Sequence, residues 1–195
     1  MTDAHPPVLP LLGERCTLRT GRAEDGPVLR EWARPHHDWH RWDGPYFPRP
    51  SDAEADEFAR AVANQSADDA AAPPPHRVVI ADPATDLLIG TVGWYWESEA
   101  TQWARMGIVI YDPAVRGRGV GREALTLWTS YLFARTDWVR LDLATWSGNR
   151  AMTTVATSVG FLEEARFRRA RVVDGARYDS VVYGVLREEW QATAG

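Results

Sequence analysis

The chain of 195 residues carries 22 basic and 27 acidic side chains, for a formal net charge of −5. That balance leaves no general basic field for nucleic acid, and nothing approaches the roughly 18 consecutive apolar residues that cross a membrane. A single cysteine, Cys16, excludes an intramolecular disulfide framework, and Met1 to Pro10 lacks the basic-then-apolar pattern of a secretory leader, so a cytoplasmic protein is expected.

The length suits one domain over 14–190, with an extended Pro-rich arm over 1–13 and a tail over 191–195. Arg15 to Thr20 reads as the first strand, with Cys16 a small buried hydrophobe in it. Arg22 to Ala33 places Val28, Leu29 and Trp32 on one side and reads as the first helix. Pro35 to Pro50 has no period and is crowded with aromatics, histidines and breakers. The His36/His40 spacing suits one helical face, and with His37 it invites a zinc reading. No Glu stands beside the first His and no cysteines follow, so no metal is expected, and the segment reads as the rim of a pocket.

Ser51 is the N-cap of a second helix to Asn64, with Asp52 and Glu54 near its dipole. Ser66 to Pro75 is a linker. Arg77 to Ala81 and Leu87 to Trp96 are strands joined by the hairpin loop Asp82 to Asp86, with Trp94 and Trp96 on one face. After a turn over Glu97 to Gln102, Met106 to Tyr111 is a short β-branched run, a buried strand that Asp112-Pro113 ends. Arg122 to Arg135 repeats its apolar residues at helical spacing. A strand beginning at Asp137-Trp138 puts Leu141 and Leu143 on one face and Arg140, Asp142 and Ala144 on the other. Asn149 to Val159 is a helix closed by Gly160. Glu163 to Val173 and Arg177 to Leu186 pair as a hairpin across Asp174-Gly175. The basic run Arg166 to Arg171 is a solvated edge, or else a contact for an acidic acceptor or a dimer partner.

The glycine-rich loop Arg116-Gly-Arg-Gly-Val-Gly-Arg122 organises this order. Gly117, Gly119 and Gly121 strip side chains from a strand-to-helix turn, so backbone amides can close on an anion at a helix N-terminus. Arg116, Arg118 and Arg122 add full charges there. A mononucleotide P-loop needs a lysine, and the chain has none. A dinucleotide fingerprint would put its first glycine at the strand end, where Asp112 to Val115 intervene.

The pattern that fits is R-x-x-G-x-G, filled by Arg116, Gly119 and Gly121 after a strand ending in Asp-Pro. It resembles the pyrophosphate motif of the GNAT superfamily of N-acetyltransferases. Asn149 after the next strand and Gly160-Phe161 at the following helix end resemble the companion motif. Trp146-Ser-Gly-Asn149 and Leu186-Arg-Glu-Glu-Trp190 look most like the branch containing the ribosomal-protein N-terminal acetyltransferases. The resemblance runs from about Arg15 to Trp190. It implies a mixed α+β fold: a mostly antiparallel central sheet of about seven strands, helices on both faces, and a splay between the fourth and fifth strands.

It also implies acetyl-CoA as co-substrate. The pantetheine arm would pair with Val109, Ile110 and Tyr111, and the diphosphate would take the amides from Gly117 through Val120 to Arg122. Asn149 would bond that arm, cap its helix, or do both. The chemistry is direct attack by a neutral amine on a thioester, so a base is expected. Relatives often place a tyrosine seven positions after the asparagine, or a serine three positions after it; here these are Ala156 and Met152. A carboxylate common on the fourth or fifth strand is replaced by Arg105 and Ala144. The remaining candidates for the base are Asp142 and Glu97. Trp42, Tyr46, Trp94, Trp96 and Trp146, with Trp39 and Phe47, suggest an aromatic acceptor groove. The expected partner is a small-molecule amine or a peptide N-terminus, with a homodimer conceivable through the last hairpin. The other readings are a catalytically silent acyl-CoA-binding module and, third, a nucleotide-binding protein using the same loop.

Overall fold

The computed structural model describes residues 7–65 and 73–193. Eight strands form one sheet: β1 (Leu11–Leu12), β2 (Thr17–Arg19), β3 (Arg77–Ala81), β4 (Leu88–Ser98), β5 (Trp103–Ile110), β6 (Arg140–Trp146), β7 (Leu162–Val173) and β8 (Ala176–Leu186), in the order β1-β2-β3-β4-β5-β6-β8-β7. The added strand is β1, which takes part of the expected arm into the sheet by pairing Leu11 with Leu18. All neighbours are antiparallel except β5 and β6. Most of the expected linker lies outside the described residues.

Helices cover both faces. On one, α3 (Val120–Arg135), α4 (Arg150–Val159) and α5 (Arg187–Thr193) close a core of Leu125, Trp128, Leu132, Leu141, Phe161 and Trp190. No helix was expected after Leu186, so α5 extends into the expected tail. On the other face, α1 (Asp25–Trp32) and α2 (Asp52–Ala63) bury Leu29, Ala59 and Val62 against Val79, Leu88 and Tyr111. Local chemistry sets the ends. Ser51 and Glu54 form a complete capping box on α2. Asp174 and Gly175 both have positive φ, at 48° and 77°, as a two-residue hairpin turn with the strands' own twist requires. Start of α1 is fixed by Asp25, which accepts from Arg19 Nη1 at 2.7 Å in a buried ion pair and from the Arg22 amide at 2.8 Å. None of the helices among the described residues is long and apolar enough to cross a membrane.

Candidate active site

Asp112 leaves β5 and turns the chain: its side chain accepts from the Ala114 amide at 2.8 Å and caps the short helical turn Pro113–Val115. Gly117 and Gly119 then take left-handed backbone, φ 72° and 85°, which a side chain would strain. From Gly117 to Arg122, no backbone amide donates a hydrogen bond to any described residue; the first closed bond of α3 is Glu123 N to Gly119 O. Arg118 and Arg122 are exposed and form no ion pair among the described residues. Six open amides, a 16-residue helix behind them and two free guanidiniums are an arrangement that could receive an anion. Arg116 differs from expectation. It spans the turn, donating to Ile110 O at 3.0 Å, Tyr111 O at 2.7 Å and the Asp38 carboxylate at 2.8 and 2.9 Å. It shapes the loop rather than standing open to a ligand.

Glu123, one turn into α3, faces away from these amides. It accepts from the amides of Glu14, Arg15 and Cys16 at 3.1, 2.7 and 2.9 Å. Burial opposes its charge, but those amides hold the carboxyl below the usual range. Burial and the Glu123 charge together push the Cys16 thiol up to about 12.

β5 and β6 pair at only three positions, ending at Arg105 and Asp142, and then part. Gly107 to Ile110 and Leu143 to Trp146 thus border an open gap. Gly107 is exposed, and a Cβ there would meet nothing within 4 Å, so the gap has a bare floor on the α1/α2 face. At its apex Asp142, 0% exposed, accepts from Trp103 Nε1 at 2.7 Å and from Arg105 Nε and Nη2 at 2.7 and 2.9 Å. A carboxylate with no exposed surface and three donors on its two oxygens braces the two strands and is closed to an incoming amine. The expectation of Asp142 as a base is therefore corrected. Glu97 belongs to the same network through Arg105 Nη1 at 2.9 Å, keeping one oxygen unspent. Val109 and Ile110 line the gap, whereas the Tyr111 backbone is spent, its amide on Ile89 O and its carbonyl on Arg116.

The segment from Pro35 to Pro50 crosses this face. The Trp42 carbonyl accepts from Trp146 Nε1 at 3.2 Å and from Asn149 Nδ2 at 3.1 Å. Asn149 Oδ1 accepts from the Met152 amide at 3.1 Å, so this residue caps α4 and straps the segment. Trp42, Trp146 and Asn149 come together here, and Tyr46 packs against Phe47 farther along the segment, 4.8 Å between centroids; Trp39 packs edge-on against Tyr111, 5.1 Å between centroids. Trp94 and Trp96 do not join them. They interlock with Trp138 on the α3 side, Trp94 only 4% exposed, so their place in the groove is corrected to the core. Period-two alternation put both on one face, but which face is buried depends on helices distant in sequence.

Asp43 was missed. Asp43 is exposed, yet the protein packed around its carboxyl raises it above the usual carboxylate value, while Arg77 and His40 pull it back. Its charge is also felt at Tyr46 and Tyr111. The sequence signal was an acid inside an aromatic and proline run. The histidines divide differently from expectation: His40 bonds the Arg34 carbonyl at 3.1 Å, while His36 and His37 turn toward Glu31, 3.8 and 3.5 Å from its Oε1. Those three side chains could hold a divalent ion, but Glu31 also pairs with Arg34 at 3.0 Å and two of the three are exposed.

A family model described as Acetyltransferase (GNAT) domain matches residues 15–162. The SPbeta prophage-derived uncharacterized N-acetyltransferase YokL of Bacillus subtilis is 24% identical over 110 residues, 56% of this chain and 55% of that protein. The chain thus spans about half the length of that curated relative. Spermidine N-acetyltransferase from Vibrio cholerae, solved with CoA and spermine, superposes with a TM-score of 0.72 at 19% identity, over 92% of this chain and 99% of that one. Ribosomal-protein-S5-alanine acetyltransferase from Vibrio fischeri gives 0.71 at 17% identity, over 93% and 98%.

Proposed function

The chain belongs to the GNAT acetyltransferase family, and from that premise we propose that it moves an acetyl group from acetyl-CoA to a primary amine of a small molecule or a peptide N-terminus. One conjunction carries the reading: open amides and free arginines at the start of α3 adjoin two strands that part. Gly117 to Arg122 would hold the diphosphate, and Val109 and Ile110 would border the pantetheine arm. Bound there, the co-substrate supplies the activated acetyl group. A Cys16 thiol that stays protonated is no nucleophile, which favours direct transfer over an acyl-enzyme.

An aliphatic ammonium loses its proton near pH 10.4, and an α-ammonium near about 8. We assign Asp43 as the proton acceptor: it follows Trp42, whose carbonyl is bonded by Trp146 and Asn149 beside the gap, and a carboxyl raised above the ordinary value binds a proton better than an ordinary one. Glu97 is held by Arg105 through a 2.9 Å bond. The Arg105–Asp142 pair keeps the apex of the gap rigid, and orientation contributes several kcal/mol on its own, of the order of 7 or more in favourable cases. A buried free cysteine is in keeping with a reducing cytoplasmic setting, and the β7 edge is where a second copy would pair.

One observation favours a silent acyl-CoA binder. Ala156 and Met152 offer no acid where relatives often have one, and Ala156 is fully buried. Thiol release from acetyl-CoA with pooled amines, products read by mass, separates the two. Release with any pool supports the enzyme; binding without release from every pool supports the silent module.

A further inference from the structure

Beside the gap, on the same face, lies a cleft of about 580 Å³. Its floor is Ala144, Ser180 and Val182 of β6 and β8; its far wall is the β7 stretch from Ala165 to Arg171. Ala144 borders the parting of β5 and β6, so the cleft opens directly onto the place where an acetyl group would be passed.

Its charges do not cancel group by group. Glu97 is held by Arg105, which also holds Asp142. Glu164 is held by Arg140. Every carboxylate lining the cleft is therefore already paired with an arginine. Arg171 pairs with no carboxylate among the described residues, and the Nε atoms of Arg140 and Arg171 are both buried without a hydrogen-bond partner. A buried guanidinium nitrogen that donates to nothing is costly, and a planar anion in the cleft would balance the charge of this unpaired arginine.

The strand is shaped to aim that residue. Pairing of β7 with β8 slips between Phe167 and Arg171, with Arg169 at φ 56°. Such a bulge redirects a side chain from the run of the strand. The Arg171 guanidinium is then fixed from the other side, 4.4 Å over the Tyr46 ring and 5.6 Å from that of Phe47. Phe167, 58% exposed, adds an apolar wall.

We propose that this cleft holds a carboxylate of the acceptor, with Arg171 the specificity-determining residue, so that the substrate is an amine that also bears a carboxylate, an amino acid or a short acidic peptide, and not a polyamine. The proposal rests on the acetyltransferase reading for its acceptor role. A polyamine site would need unpaired carboxylates in the lining, and the cleft has none. A fork of parallel N–H groups suits a flat carboxylate.

The test has two arms. In turnover, aromatic and aliphatic amino acids are compared with their amides, with spermidine and with phosphoethanolamine. The proposal expects kcat/KM for the acids at least tenfold above every other class. Arg171→Gln should raise KM for the acids about tenfold and remove their advantage over the amides, while Arg168→Gln, on the same strand but outside the cleft, should keep it. Acetyl-CoA affinity of each variant reports on an intact fold. In binding, N-acetyl-phenylalanine and its amide are titrated without acetyl-CoA, so this arm reads the cleft even if nothing turns over. Tighter binding of the acid, lost in Arg171→Gln, supports the proposal. Preference for spermidine or phosphoethanolamine, or an acid-to-amide ratio unchanged by Arg171→Gln in the binding arm, overturns it. Absence of thiol release with every amine, with acid binding intact, would overturn the enzymatic reading and leave the anion site standing.

Discussion

Asp43 has to serve two opposed demands. Burial disfavours its charge, so the folded protein binds a proton there more readily than the unfolded chain. A carboxyl with a raised folded value adds stability only at low pH and costs stability once it ionises above that value. Asp43→Asn is therefore expected to stabilise the protein slightly at pH 7 while lowering kcat by a factor of about 100 if Asp43 is the base. The wild-type rate should fall as pH drops through an apparent value above the ordinary carboxylate range, and that limb should vanish in the variant. A variant with unchanged kcat and unchanged pH profile would remove Asp43 from the reaction. Little of this was visible in the sequence, because what distinguishes Asp43 from other acids is its surroundings. The same is true of Asp142: its place on the polar face of β6 was legible, but not the three donors from Trp103 and Arg105 that use up its oxygens.

Among the elements, neighbouring pieces leave the amides of the glycine loop open. Glu123 is drawn off toward the β1–β2 turn, and its three amide partners both hold that turn and take a negative charge away from the N-terminus of α3. Its carboxyl lies below the unfolded value, so its contribution is full above about pH 4.3 and is lost as pH falls through the lower folded value. Glu123→Gln should cost about 1–2 kcal/mol at pH 7 by denaturant unfolding, and the difference from wild type should shrink below pH 4. A gap that stays constant across that range would show that the amides, and not the charge, carry the interaction. Strands, helix caps and the Asp174-Gly175 turn were legible because each is written in a few adjacent residues. β1 was not, because two leucines after prolines carry no period and become a strand only when Leu18 is there to pair with them. Trp94 and Trp96 were placed on the right strand but the wrong side for the same reason: α3 and Trp138 decide which face is buried.

For the whole molecule, the sheet brings together parts that lie far apart in the chain. A segment near residue 42, the end of β5, the start of α3 and the N-cap of α4 meet at one end, tied through the Trp42 carbonyl and the Arg116–Asp38 pair. At that end, the open amides and free arginines of α3 are proposed to hold the diphosphate of acetyl-CoA. Calorimetric titration of acetyl-CoA into wild type and into an Arg118→Glu/Arg122→Glu double variant tests it most directly, since neither side chain holds the fold. Wild type should bind saturably and one-to-one, and the variant should lose at least about 100-fold in affinity with an unchanged thermal midpoint. No binding by wild type, or equal binding by both proteins, would contradict it.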